Sequence, residues 1–439
     1  MNILIIGSGA REHAIANAFR RSEHFPVLYC VGATLNPGIR QLVDDYWVGD
    51  VADHDTILEK ADQWGIDFVI IGPEAPLEDG LADALWAADV PVVGPKKALA
   101  RIETSKAFAR DLLKKYEIPG SPDYQVCDTL AEAKKCLKKL GDGKYVIKAD
   151  GLMGGKGVFV AGDHLHSLDE AYRCCEALFL TSKSIVIEER LIGQEFSLLS
   201  FCDGKTLAPM PIVQDHKRAF VNDEGPNTGG MGTYSDANHR LPFLTEKDVV
   251  DAEAMNVSVL KALTEECKER YVGILYGSFI ATAKGVQLIE YNARFGDPEV
   301  MNVLPILETD LVEICEAMIA GQLNKVSVQF ARRATVCKYL VPNGYPDASE
   351  KNTLIDVSAV EEREQLYLGG VEEKGDQLYT TGSRAIAVVG VAGTISDAEA
   401  IAEMEVNRVK GQLFHRPDIG TDALIEERIE HMQTLRCYV

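Results

Sequence analysis

Polar side chains recur at every second position in a short stretch near residue 290. Glu290, Asn292 and Arg294 follow an apolar run, and residues two apart on a β-strand point to the same face. Carboxylate and amide oxygens ligate hard cations such as Mg²⁺, and a guanidinium beside them can hold an anion. We therefore predict that Glu290 and Asn292 bind a divalent cation, with Asp297 in the loop that follows. A buried strand with chance polar residues is the alternative.

A glycine-rich segment between two apolar runs is suited to phosphate binding. Lys148 ends the first run, and the loop that follows contains Gly154, Gly155, Lys156 and Gly157. Backbone amides and two ammonium groups can converge there on a polyphosphate. The segment lacks the G-x-x-x-x-G-K-[ST] pattern of a P-loop, so we predict a strand, a loop and a strand that close over phosphates as a lid. The alternative is a mobile surface hairpin.

A further strand predicts one wall of a nucleotide site. The apolar run at 185–187 leads into Glu188 and Glu189, and Glu195 follows shortly after. The backbone of a strand that links two lobes can hydrogen-bond to an adenine edge, while Glu195 can accept from ribose hydroxyls. Solvated glutamates are the alternative.

The stretch 215–235 combines turn-forming and polar residues over a length that is unusual for a simple connection. We expect no regular element in it and interpret it as an active-site loop. Lys217 and Arg218 offer positive charge there. Asn227 and Thr228 offer hydrogen bonds to a substrate or to phosphate.

The loop after the first strand begins like a dinucleotide-binding loop but departs from that pattern. Gly7 and Gly9 are followed by Glu12, where the third small residue of a G-x-G-x-x-G fingerprint belongs. A carboxylate at a helix N-terminus would repel a pyrophosphate, so the sequence argues against an NAD site. Glu74 follows a later strand, at the edge where open α/β sheets bind ligands. A plain turn is the alternative there.

The composition excludes several functional classes. A formal net charge of −22 over 439 residues argues against broad binding to nucleic acids or anionic membranes. Ten cysteines without CxxC spacing predict reduced core thiols and no metal-thiolate site. The chain begins directly as a strand, and no apolar stretch approaches a membrane span. We therefore expect a cytoplasmic protein.

Apolar runs predict the elements that position these groups. Four short runs alternate with helical patterns, which is typical of a parallel sheet; they lie at 2–6, 27–31, 67–71 and 91–93. One helix is predicted over 98–116. The punctuated segment 118–122 marks a domain boundary.

Together these motifs resemble those of the ATP-grasp ligases, specifically the phosphoribosylamine–glycine ligase family. The resemblance covers nearly the whole chain. It is carried by the order and spacing of GSGAREHA at 7–14, GPEAPL at 72–77, SK at 105–106, KADGLMGGKGV at 148–158, EERLIGQEFS at 188–197, the whole of 215–235, YVGILY at 271–276, EYNARFGDPE at 290–299 and NGYP at 343–346.

The resemblance implies a multidomain α/β and α+β architecture, in which an ATP-grasp fold lies between a parallel α/β domain and a β-rich cap. The expected boundaries are 1–100 for the N-terminal substrate domain, 101–118 with 192–326 for the A domain, 119–191 for the B lid and 327–439 for the cap. We expect a strand at 384–390 in the cap, where no polar group is assigned. A monomer or a weak homodimer is expected.

The implied reaction joins glycine to 5-phosphoribosylamine in purine biosynthesis, through a glycyl phosphate, with ATP and Mg²⁺ or Mn²⁺. By motif, the resemblance assigns Glu290 and Asn292 to the metal. It assigns to ATP Lys106, Lys148, Gly154, Gly155, Lys156, Gly157, Glu188, Glu189, Leu191 and Glu195. It assigns to the substrates Gly9, Arg11, Glu12, Glu74, Asp215, Asn227, Thr228 and Arg294. The catalytic residues expected are Lys217, Arg294 and Asp297.

Two questions stay open at this point. Many ATP-grasp enzymes carry a second acidic metal ligand on the preceding strand, but LYGSF at 275–279 supplies none, so the number of cations is undetermined. An ATP-grasp carboxylase and a catalytically inactive nucleotide-binding protein are the alternative functions. The intact Lys148, Lys156, Glu290 and Asn292 argue against the inactive protein.

Overall fold

The N-terminal part of the chain alternates strands with helices, as the sequence predicts. The computed structural model describes residues 1–154 and 157–437, except for the side chain of Glu364. The first elements are β1 (Asn2–Ile6), α1 (Ala10–Arg20), β2 (Val27–Gly32), α2 (Pro37–Leu42), β3 (Asp45–Val48), α3 (His54–Gln63), β4 (Phe68–Ile71), α4 (Glu74–Asp79), α5 (Leu81–Ala87) and β5 (Val92–Val93).

These five strands form a parallel sheet in the order β3-β2-β1-β4-β5. The four predicted strands are confirmed, and β3 is an edge strand that the apolar pattern did not predict. Both faces of the sheet are covered, because Leu4 and Ile6 lie in one hydrophobic core while Ile3 and Ile5 lie in another. The loops after β1 and β4 leave the sheet at the same edge.

The single helix predicted over 98–116 is wrong. Two helices occupy this range, α6 (Lys97–Thr104) and α7 (Lys106–Lys115). Ser105 between them has extended backbone angles, and its hydroxyl oxygen accepts a hydrogen bond from the backbone N–H of Phe108 at 3.1 Å. A serine that caps the second helix in this way ends the first one.

A small antiparallel sheet follows, and it has a hydrophobic core of its own. Its elements are β6 (Tyr124–Cys127), α8 (Leu130–Leu140), β7 (Tyr145–Ala149), β8 (Val158–Val160), α9 (Leu168–Leu178) and β9 (Ile185–Glu189). The strand order is β6-β9-β7-β8. The glycine-rich loop joins β7 to β8, which pair antiparallel, so the predicted strand, loop and strand are confirmed. We call this unit the lid.

The central part of the chain carries a second antiparallel sheet, β11-β10-β16-β17. Its elements are β10 (Gly193–Cys202), β11 (Leu207–Pro209), β12 (Gln214–Asp215), β13 (Arg218–Phe220), β14 (Glu224–Asn227), β15 (Gly232–Ser235), α10 (Glu246–Cys267), β16 (Gly273–Thr282), β17 (Gly285–Asn292), α11 (Val300–Val303) and α12 (Leu311–Ala320).

The prediction that 215–235 contains no regular element is wrong. β13 and β14 form a short hairpin, and β12 and β15 pair with each other. β15 then joins the sheet of the C-terminal part of the chain. The many turn residues of this stretch serve the tight connections between these short strands.

The C-terminal part is β-rich, as expected for the cap. Its elements are β18 (Ala334–Pro342), β19 (Leu354–Asp356), β20 (Leu366–Leu368), β21 (Val371–Lys374), β22 (Gln377–Thr380), β23 (Ile386–Ala392), α13 (Ile395–Arg408), β24 (Lys410–Gly411), β25 (Leu413–Phe414) and α14 (Asp422–Cys437). The strand expected at 384–390 begins two residues later, so Arg384 lies before it. No helix within the described ranges is long and apolar enough to span a membrane.

Candidate active site

One large cleft collects most of the residues that the sequence singled out. Its volume is about 890 Å³, and its walls come from the lid, the central sheet and the loops after β1 and β4. The predicted residues that line it are Arg11, Glu74, Lys106, Lys148, Gly154, Gly157, Glu188, Glu189, Leu191, Glu195, Asp215, Lys217, Asn227, Thr228, Glu290, Asn292, Arg294 and Asp297. Gly155 and Lys156 lie outside the described residues.

The strand that carries the predicted metal ligands is irregular. Glu290 of β17 pairs with Ser278 of β16, but Leu288 pairs with Phe279, the next residue of β16. Ile289 is therefore an extra residue without a partner across the strand pair, which is a β-bulge.

The bulge decides which face of β17 meets the cleft. Val286 and Leu288 before it and Tyr291 after it are buried in the same hydrophobic core. A strict two-residue alternation would place Glu290 and Asn292 on the side of Val286 and Leu288. Because the bulge adds one residue, Glu290 and Asn292 point together to the opposite side and line the cleft.

The Glu290 carboxylate has the chemistry of a cation ligand. Lys217 Nζ lies 3.9 Å away, and within the described ranges the carboxylate accepts no hydrogen bond. Burial raises the pKa of Glu290, but the charges of Lys217 and other cleft lysines outweigh this effect and hold the pKa below its ordinary value. Glu290 is therefore an ionised group that accepts no hydrogen bond from a described residue.

Asn292 supplies a neutral oxygen beside this carboxylate. Its Oδ1 accepts a hydrogen bond from Arg294 Nη2 at 3.0 Å and keeps a second lone pair. Within residues 1–154 and 157–437, no three His, Cys, Asp or Glu side chains form a metal-binding cluster. Glu290 and Asn292 fit a cation such as Mg²⁺, which takes few protein ligands and completes its shell with water and phosphate oxygens.

A chain of ionic contacts connects this end of the cleft to the N-terminal sheet. Arg294 lies 2.8 Å from Glu103 and 3.4 Å from Glu74, and Glu74 lies 3.8 Å from Arg11. Glu103 was not predicted. It lies inside a helical pattern that gives no sign of its buried position on α6, where it also accepts the backbone N–H of Ala293 at 2.7 Å.

Lys148 and Glu188 form a buried ion pair at 2.8 Å. Arg110 on α7 holds the same carboxylate through Nε at 2.6 Å and Nη2 at 2.9 Å. Burial alone would raise the pKa of Glu188, but Arg110 and Lys148 lower it to about 2. The role that the geometry shows for Glu188 is to hold Lys148, and its contact with adenosine stays a prediction. Arg110 was not predicted, because it reads as one of many charged positions on a helix.

The base of the lid loop is tied to the start of α7. Lys106 Nζ donates to the carbonyl oxygen of Gly151 at 3.0 Å, and the Asp150 carboxylate accepts from the Ala107 backbone N–H and the Ser105 hydroxyl at 3.2 Å each. Lys106 thus lies where the lid loop begins, and its contact with phosphate stays a prediction. At the other end of the lid loop lies Gly157. A Cβ atom at this position would lie 2.6 Å from Met153 Cγ, so a larger residue would clash with Met153 there.

The hairpin of β13 and β14 places Lys217 over the cleft. Lys217 Nζ is 4.0 Å from Glu195 and 3.9 Å from Glu290, and these carboxylates raise its pKa against the opposing effect of burial. The Thr228 hydroxyl donates to the carbonyl oxygen of Lys217 at 2.8 Å. Thr228 therefore braces the backbone that carries Lys217, and Asn227 lines the cleft beside it.

Asp297 is held by two residues of the cap that the sequence did not identify. The Tyr339 hydroxyl donates to its carboxylate at 2.8 Å, and Arg384 Nη2 lies 3.1 Å from it. Arg384 also donates to the carbonyl oxygens of Gly229 and Gly230 at 2.7 and 3.1 Å. The cap thus contributes to the cleft wall, although no polar group of the cap was assigned from the sequence.

Glu12 does not have the cleft-facing position that the sequence predicts. It is buried, its carboxylate accepts the backbone N–H of Gly9 at 2.6 Å, and Arg11 Nε lies 2.6 Å from it. The side chain caps α1 and orients Arg11, which does line the cleft. Of these two charged side chains, Arg11 lines the cleft and Glu12 does not; a binding role for this loop stays a prediction.

The remaining predicted nucleotide residues follow the last lid strand. Glu189 accepts the backbone N–H of Asp123 at 3.0 Å, which anchors the strand. Leu191 and Glu195 line the cleft between the lid and the central sheet. This is the connection between lobes that the sequence predicts.

Comparison with known families decides the affiliation of the chain. The N, ATP-grasp (A) and C domains of phosphoribosylglycinamide synthetase match residues 1–103, 104–300 and 335–422. The chain belongs to the phosphoribosylamine–glycine ligase family. The predicted family, fold class and enzyme class are confirmed.

Relatives of this family match over their full length. The phosphoribosylamine–glycine ligase of Methanosarcina acetivorans is 50% identical over 436 residues, which are 99% of this chain and 98% of the relative. That of Methanocaldococcus jannaschii is 45% identical over 445 residues, with 99% and 100% coverage. The predicted activity, ATP-dependent joining of glycine to 5-phosphoribosylamine, is the activity of this family.

Solved structures agree with this affiliation. The phosphoribosylamine–glycine ligase of Thermotoga maritima superposes with a TM-score of 0.80 at 29% identity, over 95% of this chain and 100% of that chain. The biotin carboxylase domain of the Hydrogenobacter thermophilus 2-oxoglutarate carboxylase has a TM-score of 0.74 at 14% identity, over 98% and 93%. At that identity the second likeness concerns the fold alone.

Proposed function

We propose that this cleft binds ATP with Mg²⁺ on one side and 5-phosphoribosylamine on the other, and that glycine is activated between them. One observation carries the proposal. The contacts from Asn292 through Arg294 and Glu74 to Arg11 form a continuous polar path. The path joins the cation ligands to the loops of the N-terminal sheet, so one cleft serves both substrates.

The nucleotide side is assigned to the lid and its neighbours. Lys106 and Lys148 are placed to hold phosphates at the start of α7 and on β7, and Lys148 would exchange its contact with Glu188 for a phosphate oxygen. Glu290 and Asn292 would hold the cation, whose chemistry is to neutralise charge on the phosphate oxygens. The loop residues Gly154, Gly155, Lys156 and Gly157 complete the assignment, with Glu189, Leu191 and Glu195 toward the adenosine.

The reaction proceeds in two displacements that need no enzyme nucleophile. A carboxylate oxygen of glycine attacks the γ-phosphorus of ATP, and ADP leaves with the electron pair of the broken phosphorus–oxygen bond. The amino nitrogen of phosphoribosylamine then attacks the acyl carbon of glycyl phosphate. Inorganic phosphate leaves, and the nitrogen gives up one proton to form the amide.

Lys217 and Arg294 are proposed to stabilise the first step. Both are cationic and line the cleft within reach of the Glu290 strand. Charge on the transferring phosphoryl group is stabilised best by preorganised cations in a site that excludes bulk water. Asp297, fixed by Tyr339 and Arg384, is proposed to orient the amine for the second step.

The acceptor side is assigned to the loops around Arg11 and Glu74, to Asp215 of β12, and to Asn227 and Thr228 at the end of β14. Burial and the nearby Glu299 raise the pKa of Asp215, so this carboxyl can hold a proton near an amine. We propose that the protein acts as a monomer or weak homodimer, because the path between the two sides lies within one chain.

The test is ADP release measured with glycine and freshly generated phosphoribosylamine. The proposal requires that ADP release need both substrates and that glycinamide ribonucleotide form in equal amount. ADP release that depends on bicarbonate instead of glycine would establish a carboxylase. Nucleotide binding without turnover under any of these conditions would establish an inactive protein.

A further inference from the structure

Arg110 makes all of its side-chain hydrogen bonds outside its own helix. It lies on α7 and is 2% exposed. Its Nε and Nη2 atoms donate hydrogen bonds to the Glu188 carboxylate of the lid. Nη2 also donates to the carbonyl oxygens of Leu288 and Ile289, at 3.1 and 2.8 Å. A single guanidinium therefore contacts the lid and the bulge of β17 at once.

Both carbonyl groups lie at the bulge of β17, which is the edge strand of its sheet. A bulge interrupts the ladder of hydrogen bonds, and a buried carbonyl oxygen without a donor costs free energy. The Leu288 and Ile289 oxygens receive donors from Arg110, and Lys148 Nζ adds a second donor to Ile289 at 3.0 Å. Arg110 and Lys148 therefore donate to the backbone of β17 at the bulge.

We propose that Arg110 is a positioning residue for the cation ligands. By satisfying the bulge at Ile289, it keeps Glu290 and Asn292 on the cleft side of β17. Without the bulge, strand alternation would turn Glu290 toward the hydrophobic core that holds Leu288. The inference rests on the proposed function, in which Glu290 and Asn292 bind the cation.

The same guanidinium also fixes the lid relative to the cation site. Glu188 bridges Arg110 and Lys148, so the phosphate-binding lysine of the lid and the bulge of the metal strand share one anchor. A lysine at position 110 could donate to one or two of these oxygens but could not form the two-pronged contact with the carboxylate. Rescue by lysine is therefore expected to be partial.

The experiment measures cation binding apart from activity. The amount of free Mn²⁺ is followed by electron paramagnetic resonance during titration of the enzyme with ADP present, and ADP affinity is measured separately in EDTA by calorimetry. Arg110→Gln is expected to weaken Mn²⁺ binding by about 10-fold to 100-fold, the range seen when a group that orients a metal ligand is removed. Affinity for metal-free ADP is expected to fall much less than affinity for Mn²⁺, because Arg110 is linked to Lys148 indirectly, through Glu188.

Two further variants keep the result interpretable if Arg110→Gln alone folds poorly. Glu188→Gln keeps the hydrogen bonds from Arg110 to the bulge, whereas Arg110→Gln with Glu188→Gln removes them and leaves a neutral pair. The double variant is expected to bind Mn²⁺ about 10-fold more weakly than Glu188→Gln. Arg110→Lys is expected to lie between Arg110→Gln and the wild type.

The matched control is Lys338→Met, which removes a buried cation of the cap that pairs with Glu399 and Glu403. It should lose stability while the folded fraction binds Mn²⁺ with ADP normally. Equal Mn²⁺ affinity in the double variant and Glu188→Gln would overturn the positioning role. An equal loss of ADP affinity with and without the metal would also overturn it.

Glu290→Ala separates this inference from the proposed function. If Glu290→Ala binds Mn²⁺ with ADP as the wild type does, the cation assignment itself is wrong. If Glu290→Ala loses the metal while the Arg110 variants keep it, the assignment stands and only the positioning role is wrong.

Discussion

Two buried ionic clusters in this protein differ in how completely their groups are paired. In the cap, Lys338 Nζ contacts Glu399 and Glu403 at 2.6 Å each and the carbonyl oxygen of Pro417 at 2.9 Å. An ammonium group has three donors, and each of these has an acceptor. The cap cluster is closed, and its geometry leaves no donor for a ligand.

The cluster around Glu290 is open by comparison. Glu290 lines the cleft, is 32% exposed and accepts no hydrogen bond within the described ranges. A carboxylate of the cleft wall that accepts no hydrogen bond from a described residue has lone pairs free for a cation. The difference between the two clusters distinguishes a structural ion cluster from a binding site.

The largest expected effect is the loss of activity on substitution of Glu290 in the open cluster. Glu290→Ala should lower kcat at least about 100-fold, because the substitution removes a ligand that places charge compensation on the phosphates. The unfolding midpoint should change little, since the Glu290 side chain is 32% exposed and accepts no hydrogen bond within the described ranges. Steady-state kinetics at varied Mg²⁺ and thermal unfolding measure the two quantities. Near-normal turnover at limiting Mg²⁺ would remove Glu290 from the cation site.

For the closed cluster of the cap we expect a loss of stability without a loss of activity. Lys338→Met should lower the free energy of unfolding by roughly 2–4 kcal/mol, because two carboxylates lose their partner. The value is at the low end for buried pairs, since Glu399 and Glu403 are partly exposed. Urea unfolding measures this loss, and kcat of the folded enzyme should not change. A large fall in kcat at full folding would show that the cap cluster is not purely structural.

A smaller effect tests the acceptor side of the open cluster. Glu12→Ala removes the cap of α1 and the partner of Arg11, so it should lower the rate of amide formation about 10-fold. ATP affinity should change less than about twofold, because Glu12 lies apart from the lid. Nucleotide titration and product formation measure the two. A parallel loss of ATP affinity would place the nucleotide at the N-terminal loop.

The smallest effect concerns Glu188 and pH. Its pKa of about 2 in the folded protein lies below the ordinary 4.5, so its stabilising contribution is complete above that ordinary value and is lost as the pH falls toward 2. Between pH 7 and pH 4 this loss is about 0.8 kcal/mol. The difference in unfolding free energy between wild type and Glu188→Gln should narrow by that amount, as measured in urea. A constant difference would show that Glu188 is not charged in the folded protein.

Apolar spacing and turn residues predicted correctly those elements whose form depends on neighbouring residues in the chain. The first sheet, the strand, loop and strand of the lid, and the alternation of Glu290, Asn292 and Arg294 all follow from apolar spacing and turn residues. The errors lie where a side chain interrupts a pattern or a partner strand is distant. Ser105 ends a helix inside the range predicted as one helix, and β15 of the stretch 215–235 pairs with β18 about a hundred residues later in the chain.

Glu12 and Arg384 show a second kind of limit. A carboxylate beside an arginine in a loop has the same sequence signature whether it faces a ligand or its neighbour, and only the packing around Gly9 turned Glu12 inward. Arg384 precedes a strand of the cap and gives no local sign that it will reach Asp297. Residues that act across domain boundaries carry no pattern in their own neighbourhood.

The sequence by itself determined that Glu290 and Asn292 share a face, because their two-residue spacing is a property of any extended strand. Only the tertiary structure decided which face that is. Val286 and Leu288 have the same spacing, so an unbroken alternation would send the carboxylate into the core. The bulge at Ile289 reverses this, and its carbonyl oxygens are satisfied by Arg110 and Lys148, which lie more than a hundred residues earlier in the chain. The spacing of residues along a strand can be read from the sequence. The donors that hydrogen-bond to a bulge come from distant residues, which only the tertiary structure brings near.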